Sequence, residues 1–282
     1  MISKNYQLTR DFVSSFYQSK LLGFLLLLFI STWCCTIKQV NATGFDTLPK
    51  KQFNVLVFSK TSGWHHKSIL NGVKAIEELA ERHFFNVIWH QEAHYINTQY
   101  LVDVDVVIFL ATSGDILNEK QKQALETYVQ SGKGFVGIHS AADTEYSWEW
   151  YHKLIGHTFI IHPTVQTALV NKTAIDFVGS EQLPASFWFT DEWYDFSEAN
   201  TPSLQYLLTV DEQTYQTQSD WGEKQGDGMG DFHPIAWFQY YDGGRSFYTG
   251  LGHLGAVYQD PLFLAHLYGG IYWAATGLGY RQ

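Results

Sequence analysis

Gly134-Phe-Val-Gly-Ile138, running straight into His139-Ser140, is the stretch on which the fold turns. It is five apolar or small residues long, too short for a helix and bounded by Gly132 behind and a polar turn ahead. Such a run is a strand buried on both faces, which is the habit of a parallel sheet. Val104-Asp-Val-Val-Ile-Phe-Leu110 and Asn54-Val-Leu-Val-Phe58 read the same way, and Asn86-Val-Ile-Trp89 is a fourth candidate. Between them the spacing changes to that of helices. Ile69, Val73, Ile76 and Ala80 recur on one face up to Arg82. Asn118 is placed to cap a second helix whose inner face is Leu125, Tyr128 and Val129, and Gly132 suits its C-terminal end. A β-α-β-α-β order implies a parallel sheet with helices on both faces. The polar, glycine-rich stretch 214–230 predicts a long loop over one end of that sheet, and 261–277 predicts a buried closing helix. No internal repeat or linker interrupts residues 50–280.

The chain has 282 residues, of which 45% are hydrophobic and 16% charged, which excludes a disordered protein. Its net charge of −10 argues against nucleic acid as a partner, since phosphate binding needs a basic surface. Both cysteines, Cys34 and Cys35, lie near the N-terminus, so there is no disulfide framework or cysteine-rich zinc module. That N-terminus reads as a separate object. Lys4, Arg10 and Lys20 precede an apolar run, 21–30, that is too short to span a bilayer comfortably. Val40-Asn41-Ala42 then offers small residues for cleavage, so residues 1–42 are expected to be a secretory signal peptide, with an uncleaved anchor as the alternative. A lipid-modified Cys34 fits less well, because bulky Trp33 precedes it. Without the leader the chain carries fourteen basic and twenty-seven acidic residues, a net charge of −13, and no thiol. The expected location is the periplasm or the exterior, with membrane contact only if the leader is retained.

Ligands of open α/β sheets bind beyond the carboxyl ends of the strands. The polar residues expected there are Trp64, His65 and His66 after the first strand, and His139, Ser140 and Asp143 after the fourth, two strands expected to be neighbours. Further along come His157, His162, Asp191, Glu192, His233, Arg245 and His253. No HExxH or paired HxH motif is present. His139 is the leading histidine, because a strand-to-helix turn displays its side chain. His83, His90, His94 and His266 look structural. Asp191 and Glu192 are adjacent and therefore point to opposite faces, so one enters a pocket while the other holds Arg245 or a loop. Arg245 is itself a candidate for orienting ligand through its planar fork. Trp64, Trp148, Trp193, Trp221 and Trp237 are candidates for stacking on sugar faces, against the ordinary reading of tryptophan as packing. Ser140 beside His139 is not read as a Ser-His pair, since neighbours rarely reach each other and no G-x-S-x-G elbow exists.

Gly63-Trp-His-His66, Gly137-Ile-His-Ser-Ala-Ala-Asp-Thr144 and Trp150-Tyr151 with Gly156-His157 and His162-Pro163 together resemble ThuA-like proteins. Asp191-Glu-Trp-Tyr194, Met229-Gly230 leading to His233-Pro-Ile-Ala-Trp237, Gly244-Arg-Ser-Phe-Tyr248, Gly250-Leu-Gly-His253 and Gly270-Ile-Tyr-Trp-Ala274 extend the resemblance over about residues 52–277. It implies a single α/β domain over 43–282, a flavodoxin-like three-layer sandwich with a mostly parallel sheet, related to class I glutamine amidotransferases. In that superfamily a cysteine occupies the elbow. Here His139 stands there, so thiol-based glutamine hydrolysis is excluded. The resemblance also implies a role in sugar metabolism. The expected function is a metal-assisted hydrolase or lyase acting on a sugar or an oxidised, keto glycoside. Its alternative is a non-catalytic carbohydrate-binding or scaffolding protein. The expected cofactor is a divalent ion, zinc first, held by His139 with His65 or His253 and joined by Asp191 or Glu192. Asp143, Asp191, Glu192 and Arg245 are the further catalytic candidates, and Trp64, His66, Trp193, His233 and Trp237 the substrate-binding ones. No nucleotide or flavin is expected. The expected partner is a small carbohydrate, and self-association of the domain is left open.

Overall fold

A computed structural model describes residues 51–279, so the leader and its cysteines lie outside the described residues. The elements run β1 (Asn54–Phe58), α1 (Ile69–His83), β2 (Asn86–His90), α2 (Thr98–Leu101), β3 (Val106–Leu110), α3 (Glu119–Gln130), β4 (Gly134–Ile138) and α4 (Glu149–Ile155). After these come β5 (Phe159–Ile161), β6 (Gln166–Lys172), β7 (Ser186–Asp191), β8 (Asp195–Phe196) and β9 (Gln205–Asp211). The chain closes with β10 (Ser219–Asp220), β11 (Gln225–Gly226), β12 (Pro234–Tyr241), β13 (Gly244–Thr249) and α5 (Pro261–Thr276).

One nine-stranded sheet carries the order β2-β1-β3-β4-β13-β12-β9-β6-β7. From β2 to β13 every pairing is parallel. From β13 to β7 every pairing is antiparallel. This is the flavodoxin-like α/β sandwich the sequence predicts, with an antiparallel extension beyond β13. The strands of the parallel half are apolar throughout because both faces are covered. Val55, Val57, Ile108 and Val136 pack with Ile76 of α1 and Leu267 and Ile271 of α5. Leu56, Phe58, Val107 and Phe135 face the other way, toward Leu125 and Val129 of α3 and Tyr151 and Leu154 of α4. The alternation is the strand period of two, realised once against each helical layer.

Two local expectations need correction. β3 begins at Val106 rather than Val104, because Asp105 turns in to accept the Asn54 N–H at 2.8 Å. The first and fourth strands are not neighbours, since β3 lies between them. Their loops meet over the end of β3 instead. Ser113, just past β3, accepts backbone bonds from Ser62 and Gly63, and Gly114 bridges to Thr144. Asn118 does cap α3, in a reciprocal box with Gln121, and Gly132 takes the positive φ of 88° that follows the helix. The segment expected as a loop contains the small hairpin β10–β11. Among the described residues no helix is long and apolar enough to cross a membrane.

Candidate active site at the carboxyl edge of the sheet

His139 is the pivot. It leaves β4 with φ of 54°, a left-handed turn that few residues other than glycine adopt without compensation. The compensation is visible: the Tyr248 hydroxyl donates to the His139 carbonyl at 2.7 Å, and the ring Nδ1 lies 2.9 Å from the Gly250 carbonyl. A carbonyl can only accept, so Nδ1 carries a proton and Nε2 is the ring nitrogen left to face the cluster. That nitrogen points at His66 Nε2 (3.1 Å), Tyr194 Oη (2.9 Å), His253 Nδ1 (3.3 Å) and Glu192 Oε2 (3.4 Å).

Each of these partners is held from behind. His66 arrives on the loop after β1, with its Nδ1 3.2 Å from the Ser140 hydroxyl. Glu192 follows the last residue of β7. Asp191, buried beside it, accepts the Gly252 N–H at 2.6 Å and the Leu254 N–H at 3.2 Å. Those two bonds grip the turn that carries His253. Ser68 adds a third from its hydroxyl to the Gly252 carbonyl at 2.9 Å. Gly252 itself has φ of 124°, and a Cβ there would meet the Tyr258 hydroxyl at 2.6 Å, so the turn requires glycine.

One ligand atom from each of His66, His139, Glu192 and His253 lies within 4.8 Å of all the others. Three imidazoles and a carboxylate are the donor set of a divalent transition metal. The spacing fits as well. Ligands at 2.0–2.1 Å around a tetrahedral ion stand about 3.3 Å apart. The distances to His139 Nε2 quoted above, and the 3.0 Å between His253 Nδ1 and Glu192 Oε2, bracket that edge. Glu192 Oε2 is buried and makes no properly aligned hydrogen bond despite these contacts. Three imidazole nitrogens crowded around a buried carboxylate oxygen with no aligned donor are what a shared cation would satisfy.

Electrostatics set the members of the cluster apart: His66 is held uncharged, Glu192 is held ionised and His253 is drawn toward its charged form. Burial, then the charges of His139 and His253, push His66 down to about 2, so it stays unprotonated. Burial alone would raise Glu192, but contacts with His139 and His253 hold it below the usual carboxylate range. Burial would lower His253, and Glu192 reverses the sign and raises it. Asp143, on the turn after His139, is raised to about 6 by burial, against a hydrogen bond from Tyr146 that pulls it down.

Above the cluster opens a cavity of 340 Å³ lined by Trp64, His66, Asp143, Phe159, His162, Glu192, Tyr194, Trp221 and His253. A family model described as ThuA, trehalose utilisation, matches residues 54–274. The chain belongs to the ThuA family. A putative ThuA-like protein from Bacteroides uniformis is 20% identical over 80% of this chain and 93% of that one, with a TM-score of 0.67. Another from Parabacteroides merdae is 19% identical over 82% and 93%, with a TM-score of 0.66. A β-galactosidase from Bacillus circulans is 13% identical over 82% of this chain but only 32% of that one, at a TM-score of 0.52. These likenesses establish a shared fold, and the fold of the ThuA family is glutamine amidotransferase-like. No curated protein sequence gave a match. Membership of the ThuA family supports a role in carbohydrate metabolism.

In this ThuA chain His66, His139, Glu192 and His253 come together, and Asp143 and Trp64 line the same cavity. The remaining candidates fall elsewhere. His65, expected as a ligand, turns away and its Nδ1 meets the Thr61 hydroxyl at 3.1 Å, so His66 takes the place proposed for it. Asp191 lies behind the cluster and holds the His253 turn. Trp193 and Trp237 are buried packing residues whose indole N–H groups donate to the carbonyls of Gln166 and Ile155. Trp148 packs on Trp150 and Tyr151 and does not line the cavity. His233 sits one layer back, bonding the Tyr194 carbonyl (2.8 Å) and Glu212 (2.7 Å). Arg245 is at the wrong end of the sheet. Its register partner is Gly134, the first residue of β4, and it donates to the carbonyls of Ala274 and Ala275. Tyr194, named only as part of the run Asp191-Glu-Trp-Tyr194, was given no role, and Phe159 was not anticipated. The period of two that separates Asp191 from Glu192 also pairs Glu192 with Tyr194, so Tyr194 was within reach of the same reasoning.

Proposed function

We propose that this ThuA-family protein is an exported, metal-assisted hydrolase or lyase acting on a sugar or an oxidised, keto glycoside. The convergence of His66, His139, Glu192 and His253 at the floor of the cavity carries the reading. These four would hold a divalent ion, zinc first. When bound, the ion would polarise a carbonyl or hydroxyl oxygen of the sugar. The chain's own residues supply the rest. Asp143, raised to about 6, titrates where a group that takes and returns protons should, and it faces the same cavity without being part of the cluster. On a keto sugar its natural task is to accept the proton from the carbon beside the carbonyl, which starts elimination at the glycosidic bond. The Tyr146 hydroxyl favours the charged form of the Asp143 carboxyl and so offsets part of the burial. Tyr194 aims its hydroxyl at His139 Nε2 and closes the back of the cavity. The ligand is a small carbohydrate rather than nucleic acid, in keeping with the acidic chain. Export to the periplasm or beyond rests on residues 1–42.

Metal analysis of the purified protein tests the first half, and a mass-change screen of unmodified and oxidised disaccharides tests the second. Near-stoichiometric metal, lost in His139→Ala together with turnover, is the expected result. A metal-free protein that still binds sugar, unchanged by His139→Ala, would replace this reading with a non-catalytic carbohydrate-binding one.

A further inference from the structure

The cavity is aromatic in an ordered way. Tyr194, at its floor, is 4% exposed and touches the cluster. Phe159 packs on Tyr194 with ring centroids 4.3 Å apart and is half-buried. Trp221 follows at 6.0 Å from Phe159, meets His162 edge-on at 4.8 Å, and is 49% exposed. These rings form one wall that climbs from the cluster to the mouth. Trp64, 70% exposed, lines the same cavity.

Exposed tryptophans are ordinary singly, but two at the mouth of one cavity are not. Nor is Trp64 on a loose loop. Its carbonyl accepts from the Ser113 hydroxyl at 2.7 Å, and the Ser62 and Gly63 N–H groups donate to the Ser113 carbonyl at 2.8 and 3.3 Å. A Cβ on Gly63 would lie 3.2 Å from that same Ser113 hydroxyl, so the loop is pressed against its support. Trp221 is carried by the β10–β11 hairpin, whose turn closes with the Trp221 N–H donating to Lys224 and Gly222 at φ of 81°. The molecule therefore keeps two large apolar rings fixed in water beside a polar floor. The residues lining the cavity include no lysine or arginine to meet a phosphate or carboxylate.

We infer that Trp64 and Trp221 form an outer subsite for the second ring of a neutral, two-ring glycoside, while the first ring reaches the cluster. This rests on the carbohydrate reading above and specifies it. Ring faces of sugars are apolar and stack on indoles, and their edges remain free for Asp143 and His162. A single pyranose would leave the mouth empty, whereas a disaccharide would span floor to rim.

The test compares methyl α-glucoside with trehalose and maltose, each unmodified and as its keto form, by calorimetry on the full chain. Two-ring ligands are expected to bind more tightly than one-ring ligands. Trp221→Ala and Trp64→Ala should each weaken two-ring binding by about 3- to 10-fold, leaving methyl glucoside affinity and metal content unchanged. Trp221→Phe should restore part of the loss. Equal affinity for one- and two-ring ligands, unaltered by either alanine variant, overturns the outer subsite and leaves the carbohydrate reading standing. Failure of every glucoside to bind overturns both.

Discussion

In the parallel half of the sheet, β1 and β4 run toward the site, and the loops that follow them deliver His66, His139 and Asp143. In the antiparallel half the direction alternates. β7 and β9 run the same way as β4, so Glu192 and Glu212 come just after their strands; β6 and β12 run the opposite way, so His162 and His233 come just before theirs. The habit of looking after each strand therefore succeeds in one half and must be reversed for alternate strands in the other. Arg245 shows the cost of not knowing which rule applies. It is the second residue of β13, and because β13 is parallel to β4, its start lies at the far edge. Five residue steps of strand, at about 3.3 Å each, put it roughly 16 Å from the level of His139. His253, which follows the same strand, lands in the cluster.

The largest test of this contrast sets neighbours against each other. His66→Ala should abolish metal retention and lower turnover by at least about 100-fold, a typical loss when a catalytic group or ligand is removed. His65→Ala, one residue earlier on the same loop, should change either by less than about two-fold. Metal content and kcat/KM on whichever keto glycoside turns over would read both. Equal effects at the two positions would mean that the loop after β1 does not contribute as its geometry indicates.

How much of this was legible in the sequence follows from the same asymmetry. Buried parallel strands announce themselves by unbroken apolar runs, and Asn118 with Gln121 or Gly132 mark their helices by local hydrogen-bond and backbone needs alone. The elbow at His139 could be read from one strand and one turn. The choice between His65 and His66 could not, because a loop has no period to say which side chain faces inward. Asp191 and Glu192 were separable as one pocket residue and one support, but what Asp191 supports, the Gly252–Leu254 backbone, is sixty residues away and depends on the order of strands. Trp193 and Trp237 look like rim residues by composition. Only the packing of both sheet faces shows that they are core.

That support gives the next test. Asp191→Asn keeps the size of the side chain but weakens the grip on two N–H groups. Metal affinity should fall by about 10- to 100-fold, the usual penalty for disturbing the groups behind a ligand. Glu192 is untouched, so residual metal binding distinguishes this loss from that of a ligand. Competition with a chelator of known affinity measures it.

A smaller effect separates Asp143 from the cluster. As a base with its ionisation raised to about 6 by burial, Asp143 must be deprotonated to act, so turnover falls as the pH drops through about 6. The Tyr146 hydroxyl bond lowers this value. Tyr146→Phe removes that bond, so the acid limb of the pH–rate profile should move to higher pH. A profile unchanged in position would assign the limb to another group.

The smallest expected effect is at the opposite edge. Arg245 donates Nε–H to the Ala274 carbonyl (2.8 Å) and Nη2–H to the Ala275 carbonyl (3.2 Å), in the last turn of α5. The last carbonyls of a helix lack intrahelical donors, and its C-terminus attracts positive charge. The guanidinium answers both needs. Arg245→Ala should therefore cost about 1 kcal/mol of stability, a few degrees in Tm, with kcat and metal content unchanged. Loss of activity at unchanged Tm would place Arg245 at the substrate after all, and would break the rule that a parallel strand presents its function only where it ends.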